Sequence, residues 1–274
     1  MGINTKRWQQ LLGLVAVVFA SLLFGGCAST TGDGGQGDAK ADLVTESDEP
    51  EGRRRARIRL ELAVGYFEQG QTSVALDELK QALSADPSFG EAYNLRGLIY
   101  MRLNEIRLAE ESFRRSITLN PGDANAVHNF GWLMCQQGRH AESMQLFARA
   151  LANPQYGERP KTLMTQGLCQ IRAGQRTEAE VSLTQSYELD AGNPITGYNL
   201  ANLLFLRGDL VRSQFYIRRL NNSELANAES LWLGIKVERR LDNREAVQQL
   251  AGQLRKRFTQ SRELAAYERG AFDE

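Results

Sequence analysis

The chain has 274 residues, of which 42% are hydrophobic and 24% are charged. This balance allows one or two well-packed domains and excludes wholesale disorder. The formal net charge is zero, with 33 basic and 33 acidic residues, so the composition carries no sign of nucleic-acid binding.

The first predicted element is an export signal. Lys6 and Arg7 precede a mainly apolar run from Leu11 to Phe24, which is the arrangement of a secretory signal. A membrane-spanning helix needs about 20 apolar residues, so the pattern favours a cleaved signal over a permanent anchor. Residues 1–26 are therefore predicted to be a signal peptide.

Two cleavage sites are compatible with the residues that follow. Gly25-Gly26-Cys27 resembles a bacterial lipobox, in which the cysteine sulfur receives a diacylglyceryl group before cleavage. The alternative is an ordinary cut after Ala28, which would remove Cys27. The next residues are rich in Gly, Asp, Ser and Thr, as is typical of a flexible tether. We therefore expect a lipid on Cys27 and a tether over residues 27–55.

At the end of this tether lies the one basic cluster of the chain, from Arg53 to Arg59. Acidic residues from Glu46 to Glu51 precede it. We interpret the cluster as a solvated helix start, and contact with anionic headgroups or with an acidic patch on a partner is the alternative.

From residue 56 onward the sequence repeats with a period of 34. The recurring pairs include Tyr66 and Tyr100, Ala75 and Ala109, Leu79 and Phe113, and Pro87 and Pro121. This period is the signature of the tetratricopeptide repeat, a pair of antiparallel helices. Six repeats are predicted within residues 56–260, at about 56–89, 90–123, 124–159, 160–193, 194–226 and 227–260.

A small residue recurs on the first helix of each repeat because the two helices must cross closely. These residues are Ala63, Gly97, Gly131, Gly167, Ala201 and Gly234. One repeat cannot bury its apolar face alone, so the repeats must stack and the last one needs a polar cap. Residues 261–274 are predicted to supply a capping helix and tail. The predicted fold is all-α, a right-handed superhelix of about six repeats.

The cysteines and histidines of the repeats show no catalytic or metal-binding spacing. Cys135 and Cys169 allow either a disulfide or, as we favour, two small buried apolar residues. His128 and His140 have no ligand set nearby in sequence, and no phosphate-binding loop or nucleophile motif occurs. We therefore expect no enzyme activity, no catalytic residue, no metal, and no cofactor apart from the lipid on Cys27.

Resemblance to this repeat class places ligand contacts at the fifth, ninth and twelfth positions of each repeat, on the concave side. These positions are mostly apolar here, so we expect an amphipathic helix or an apolar segment as ligand. An error of one residue in phase rotates a position by about 100° and would turn it into the core instead. The predicted groove residues are Leu60, Val64, Phe67, Leu98, Met101, Trp132, Met164, Leu168, Ile171, Tyr198 and Phe205. The same positions also hold Asn94, His128, Cys135, Asn202, Leu231, Ile235 and Glu238.

The whole chain resembles the PilF/PilW family of type IV pilus biogenesis lipoproteins. Its more specific marks are LRGLIY at 95–100, AEESFRRS at 109–116, NFGWL at 129–133 and the tail at 261–270. The resemblance implies a pilotin, a lipid-anchored scaffold that binds the secretin PilQ and promotes its outer-membrane localisation and multimerisation for pilus assembly and twitching motility.

The resemblance also implies a location and a set of partners. Ala28 rather than Asp after the cysteine fits sorting to the outer membrane, with the repeats facing the periplasm. No nucleic acid and no small-molecule substrate are expected. The alternative function is a repeat lipoprotein that acts as an adaptor for cell-wall or outer-membrane assembly factors.

Overall fold

A computed structural model of the chain describes residues 48–272, and every regular element in that range is a helix. The predicted signal peptide, the lipidation site Cys27 and nearly all of the predicted tether lie outside the described residues. Within residues 48–272, no helix combines the length and the hydropathy needed to cross a membrane.

The helices form six consecutive antiparallel pairs and one additional helix. In chain order they are α1 (Glu51–Glu68), α2 (Thr72–Ala85), α3 (Gly90–Arg102), α4 (Ile106–Leu119), α5 (Ala124–Gln136), α6 (His140–Leu151), α7 (Arg159–Arg172), α8 (Arg176–Leu189), α9 (Pro194–Arg207), α10 (Leu210–Asn221), α11 (Ala228–Arg240), α12 (Arg244–Arg257) and α13 (Arg262–Arg269). The two helices of each pair pack together, and the first helices of successive pairs also contact one another. The predicted all-α repeat superhelix is confirmed.

The turn within each repeat needs a residue with a positive φ angle. Gly70 has a φ of 79° in the first repeat, and Asn104 takes the equivalent place in the second with a φ of 59°. Asp242 does the same in the sixth repeat, with a φ of 54°. Asn and Asp tolerate this left-handed conformation better than other side-chain-bearing residues, which explains why the repeat survives without glycine there.

The close crossing of the two helices is visible at Gly97. A Cβ atom at this position would lie 2.6 Å from Cε1 of Phe113, whose side chain is fully buried. In the third repeat the partner residue is Ser143, whose hydroxyl donates a 2.7 Å hydrogen bond to the carbonyl of Gly131. The small residues therefore let the helices approach, and the large neighbour fills the space beside them.

The first helix begins earlier than the sequence pattern predicts. The tether was expected to extend to residue 55, but α1 starts at Glu51, directly after Pro50. Pro50 suits this place because its fixed φ and missing N–H fit the start of a helix. Glu49 pairs with Arg57 at 3.0 Å. The end of the predicted tether is therefore wrong by five residues, and these residues form the first turn or so of the repeat domain.

The basic cluster is used within the fold. Arg53 forms an ion pair with Asp86, and Arg59 forms another with Glu78 at 2.9 Å. Both partners lie on or just after α2, so the cluster joins the two helices of the first repeat. Its interpretation as the start of a helix is confirmed.

The last helix, α13, covers the end of the superhelix. Ser261 caps it by accepting a 3.1 Å hydrogen bond from the amide of Leu264, and Gly270 ends it in the left-handed conformation. Leu264 is buried against α11 and α12, and the ring of Tyr267 meets Trp232 edge to face at 6.5 Å. The apolar edge of the sixth repeat is thereby shielded from water.

Candidate functional site

The predicted groove residues lie on the first helices of repeats one to five. Ten of them are half-buried, and Val64 is 38% exposed. Neighbouring first helices are in contact, and between repeats two and three Asn129 donates a 3.0 Å hydrogen bond to Asn94. The groove residues thus form a row of partly exposed apolar side chains on a rigid surface, which is suited to covering apolar groups of a partner. The role of this row in binding stays a prediction.

The sixth repeat departs from the predicted phase. Leu231, Ile235 and Glu238 occupy the predicted positions, yet all three are buried, with exposed fractions of at most 1%. The reason is that Asn227, taken as the first position, is the N-cap of a helix that begins at Ala228. In repeats two, three and five the first position is the first helical residue. The phase is therefore wrong by one residue, and the corresponding positions are Trp232, Lys236 and Arg239.

Two further positions of the row are buried in the third repeat. His128 is 4% exposed and Cys135 is 2% exposed. Nδ1 of His128 lies 2.8 Å from the hydroxyl of Thr162, which lies 2.9 Å from the hydroxyl of Tyr156. These buried hydrogen bonds connect the loop between α6 and α7 to α5 and α7, the first helices of repeats three and four. Burial, with a smaller contribution from Lys161, lowers the pKa of His128 to about 4.

Cys135 and Cys169 form a disulfide between α5 and α7, with their Cα atoms 5.9 Å apart. Our preference for two unpaired apolar residues was therefore wrong. The two cysteines are 34 residues apart, which is the repeat period, and they lie on the first helices of repeats three and four. The disulfide links the first helices of repeats three and four covalently and stabilises the middle of the superhelix.

His140 approaches the same disulfide, with Nδ1 3.5 Å from Sγ of Cys169. Sequence spacing missed this proximity because His140 starts α6, while the cysteines lie on α5 and α7. Together the three residues are the one group within residues 48–272 whose ligand atoms lie close enough for a metal ion, all within 4.8 Å. Both sulfurs are in the disulfide, so they offer no thiolate to a metal.

Cations lie over the aromatic side chains of the groove. The guanidinium of Arg102 is 5.3 Å from the ring centroid of Phe67, and that of Arg172 is 4.7 Å from the ring of Trp132. Each arginine belongs to the repeat after the one that carries the aromatic residue. Such cation–π contacts orient a cation over the ring while leaving its outer side toward solvent. The groove is therefore aromatic and basic, and not simply apolar as predicted.

The same arrangement continues into the sixth repeat. Nζ of Lys236 lies 5.7 Å from the ring of Phe205 and 5.6 Å from that of Trp232. Burial lowers the pKa of Lys236. Trp232 in turn stacks on Phe272 at 5.3 Å, and Arg239 covers the ring of Phe272 at 3.7 Å. A continuous series of contacts thus joins the groove to the carboxyl end of the described chain.

Tyr198 is an exception within this basic surface. Burial raises the pKa of its phenol, and the carboxylates of Glu229 and Glu263 raise that pKa further. Acidic groups therefore lie near this one position, between the cations of the fourth and sixth repeats.

Comparisons with known proteins agree with the repeat architecture. The family model for the tetratricopeptide repeat matches residues 60–124 and 100–158. The type IV pilus assembly protein PilF of Pseudomonas aeruginosa is 26% identical over 254 residues, which cover 92% of this chain and 97% of PilF.

Two solved structures share the fold over most of their length. PilF of Pseudomonas aeruginosa superposes with a TM-score of 0.72 at 25% identity, covering 80% of this chain and all of that one. PilW, described as a widely conserved type IV pilus biogenesis factor, superposes with a TM-score of 0.69 at 31% identity. That match covers 77% of this chain and 97% of PilW. The chain therefore belongs to the PilF/PilW family of tetratricopeptide-repeat proteins of type IV pilus biogenesis.

Proposed function

We propose that this pilus-assembly protein acts as a pilotin. The lipid on Cys27 holds it at the outer membrane, the repeats face the periplasm, and the groove binds the secretin PilQ until the secretin has reached the membrane and formed multimers. Binding and tethering are sufficient for this role, and no bond is made or broken in the partner.

The observation that carries the proposal is the row of half-exposed apolar side chains on the first helices. A secretin subunit must keep membrane-destined apolar surface covered before it inserts, and a rigid groove offers such cover. Each apolar side chain of the partner that is buried in the groove contributes roughly 1.5 to 3 kcal/mol to the free energy of binding, before the entropy lost on ordering the partner is subtracted. Three or four anchors are therefore enough for micromolar binding.

The sequence ahead of the repeats supports the membrane part of the proposal. Between Cys27 and the start of α1 at Glu51 lies a segment rich in Gly, Asp, Ser and Thr. If this segment is the flexible tether that its composition predicts, its root-mean-square reach would be roughly 25 to 30 Å. Such a reach would hold the repeats clear of the lipid headgroups while keeping them close to the membrane.

The test uses full-length variants in the bacterium that encodes the chain. Trp132→Glu and Leu98→Glu place a carboxylate in the groove and should abolish both heat-stable secretin multimers and surface pili. Val211→Glu is the matched control, because Val211 is 70% exposed on α10, a second helix. Helical circular dichroism checks that all three variants fold. Normal multimers and pili in the groove variants, or after deletion of the gene, would overturn the proposal.

The lipid is tested separately by mass spectrometry of the mature amino terminus. An acylated Cys27 is expected, whereas a mature chain that begins at Ser29 would exclude the anchor. Cys27→Ser should leave the repeats folded but release the protein from the outer membrane and lower the amount of secretin multimers there. If deletion disturbs the envelope and leaves pili intact, the adaptor function for cell-wall or outer-membrane assembly factors takes its place.

A further inference from the structure

The arginines over the groove differ from arginines of the described chain that are held in ion pairs. Arg207 and Arg212 share the carboxylate of Glu180, with Arg212 at 2.7 Å. Arg172 and Arg240, in contrast, have no carboxylate within ion-pair distance among residues 48–272. Their contacts are with the groove aromatics, because Arg240 lies 5.9 Å from the ring of Phe205. Two cations of the groove thus keep their charge available to a ligand.

The groove leads to a cavity of about 710 Å³ at the carboxyl end of the fold. Arg239, Arg244 and Arg255 line it, together with the rings of Tyr267 and Phe272. Arg244 pairs with Asp242 at 3.4 Å. Arg239 and Arg255 lie over aromatic rings, at 3.7 and 5.2 Å, and form no ion pair within the described part of the chain. Asp242 and Glu268 are the acidic residues of its lining. The cavity therefore presents two cations beside apolar surface.

Cations in this arrangement favour one class of ligand. A guanidinium on an aromatic ring is held in place and partly desolvated on one side, so a carboxylate meets it at low cost in side-chain entropy. A purely apolar ligand would bury the charges without a partner, which is unfavourable. A basic ligand would meet like charges at the second, fourth and sixth repeats.

We propose that the segment bound by the groove is an amphipathic helix of the partner protein whose groove-facing side carries acidic as well as apolar side chains, and that its acidic end enters the cavity at Arg239 and Arg255. This inference rests on the proposed function and adds the chemistry of the bound segment to it. The apolar side chains occupy the row of groove residues, and the carboxylates meet Arg102, Arg172 and Arg240. The acidic groups near Tyr198 leave one place along the groove where the segment carries no acidic side chain.

The first test measures binding of three synthetic peptides to the full chain in detergent by fluorescence anisotropy. The peptides have about 18 residues, or five helical turns, with Leu at the spacing of one helix face. The other positions that face the groove carry Glu, Gln or Lys. The Glu peptide should bind about tenfold more tightly than the Gln peptide, and the Lys peptide should bind least. Raising the salt from about 0.1 to about 1 M shortens the Debye length from about 10 to about 3 Å and should remove this order.

The second test assigns the effect to the groove. The double variant Arg172→Glu/Arg240→Glu should weaken binding of the Glu peptide about tenfold and strengthen binding of the Lys peptide. Arg107→Glu is the matched control, because Arg107 is exposed on α4, a second helix, and should change neither affinity. Equal affinities of the three peptides, or an equal effect of Arg107→Glu, would overturn the proposal.

The outcomes separate this inference from the function on which it rests. If Trp132→Glu abolishes secretin multimers while the peptide charges and Arg172→Glu/Arg240→Glu have no effect, the pilotin function stands and the acidic ligand is excluded. In the opposite case, the double variant reverses the peptide preference, but secretin multimers and pili stay normal in both Trp132→Glu and the double variant. The groove then binds acidic segments, and the secretin is not its partner.

Discussion

Arg218 on α10 holds the carboxylate of Glu238 on α11, with Nε and Nη2 donating hydrogen bonds of 2.6 and 2.9 Å. Glu238 is only 1% exposed, and the amides of Gln214 and Asn243 donate to the same carboxylate at 2.9 and 3.0 Å. The cluster joins α10, α11 and the start of α12. It therefore fixes the sixth repeat, with its part of the groove, to the fifth.

Removing Arg218 should cost more stability than neutralising Glu238. Arg218→Met leaves a buried charge without its cation, and we expect the free energy of unfolding to fall by about 2 kcal/mol, a low value because the arginine is itself half-exposed. Glu238→Gln keeps an acceptor oxygen and leaves Arg218 free to meet water, so it should cost about half as much. Urea unfolding of both variants measures the difference. The opposite order would mean that the carboxylate is hydrated when Arg218 is absent.

Two glycines should respond to alanine with opposite signs. Gly97→Ala places a Cβ atom 2.6 Å from the buried ring of Phe113 and should lower the free energy of unfolding by about 1 to 3 kcal/mol. Gly252→Ala lies within α12, where a Cβ atom meets nothing within 4 Å. It should raise stability by about 0.4 to 1 kcal/mol through helix propensity. Thermal and urea unfolding check both, and stabilisation by Gly97→Ala would show that the helices can separate freely.

Reduction of the disulfide should destabilise the repeats. Cys135 and Cys169 are 34 residues apart, and closing a loop of this size contributes about 3 to 4 kcal/mol in the chain-entropy model. Urea unfolding with and without a thiol reductant should show this loss in a Cys27→Ser background, which removes the third thiol. The double variant Cys135→Ala/Cys169→Ala is the control and should be less stable from the start and indifferent to the reductant. An unchanged midpoint of the parent on complete reduction would refute the assignment of stability to the cross-link.

His128 should make the fold sensitive to mild acid. Its pKa is about 4 in the folded chain and 6.5 for the ordinary group, so the unfolded state binds the proton first. Neutral His128 makes its full contribution to the free energy of unfolding above pH 6.5. This contribution decreases as the pH drops from 6.5 to 4, and it does not change further below pH 4. One pKa unit corresponds to about 1.4 kcal/mol, so the total loss is about 3 kcal/mol.

His128→Gln isolates this effect from the carboxylates, which also titrate in this range. We expect the stability gap between the parent and the variant to be constant above pH 6.5 and to shift by about 3 kcal/mol in favour of the variant on acidification to pH 4. Urea unfolding at several pH values measures the gap. A gap that does not change with pH would mean that His128 is protonated as easily in the fold as outside it.

Many features of the repeats could be predicted from the sequence because they depend on neighbours along the chain. The period of 34 predicts a close crossing of two helices at Gly97, and the structure confirms it, because a Cβ atom at Gly97 would lie 2.6 Å from the ring of Phe113. Arg96 occupies a position of the second repeat that is usually apolar. Its Nε donates a 3.1 Å hydrogen bond to the hydroxyl of Ser112, and its guanidinium lies 4.6 Å from the ring of Tyr93. The repeat therefore tolerates the substitution by finding local partners.

Other features could not be predicted because one residue in a loop changes the phase of a whole helix. The helix α11 is shifted by one position from the predicted phase. As a result, Glu238 is buried in the core, and Lys236 lies over the ring of Phe205. Cys135 and Cys169 are 34 residues apart, so the repeat period puts them on neighbouring first helices, but it does not show that their sulfurs meet. Sequence spacing carries no signal for the approach of His140 to Cys169, because it depends on how α6 packs against α7.

The sequence alone therefore determined the helical pairs, their turns and their small crossing residues, because each depends on side chains within one repeat of about 34 positions. From local composition it also predicts an export signal and a lipid on Cys27. Only the tertiary structure decided the disulfide, the buried Glu238 and the cations over Phe67, Trp132 and Phe205. These contacts join different repeats, and they depend on how far each repeat is rotated against the one before it.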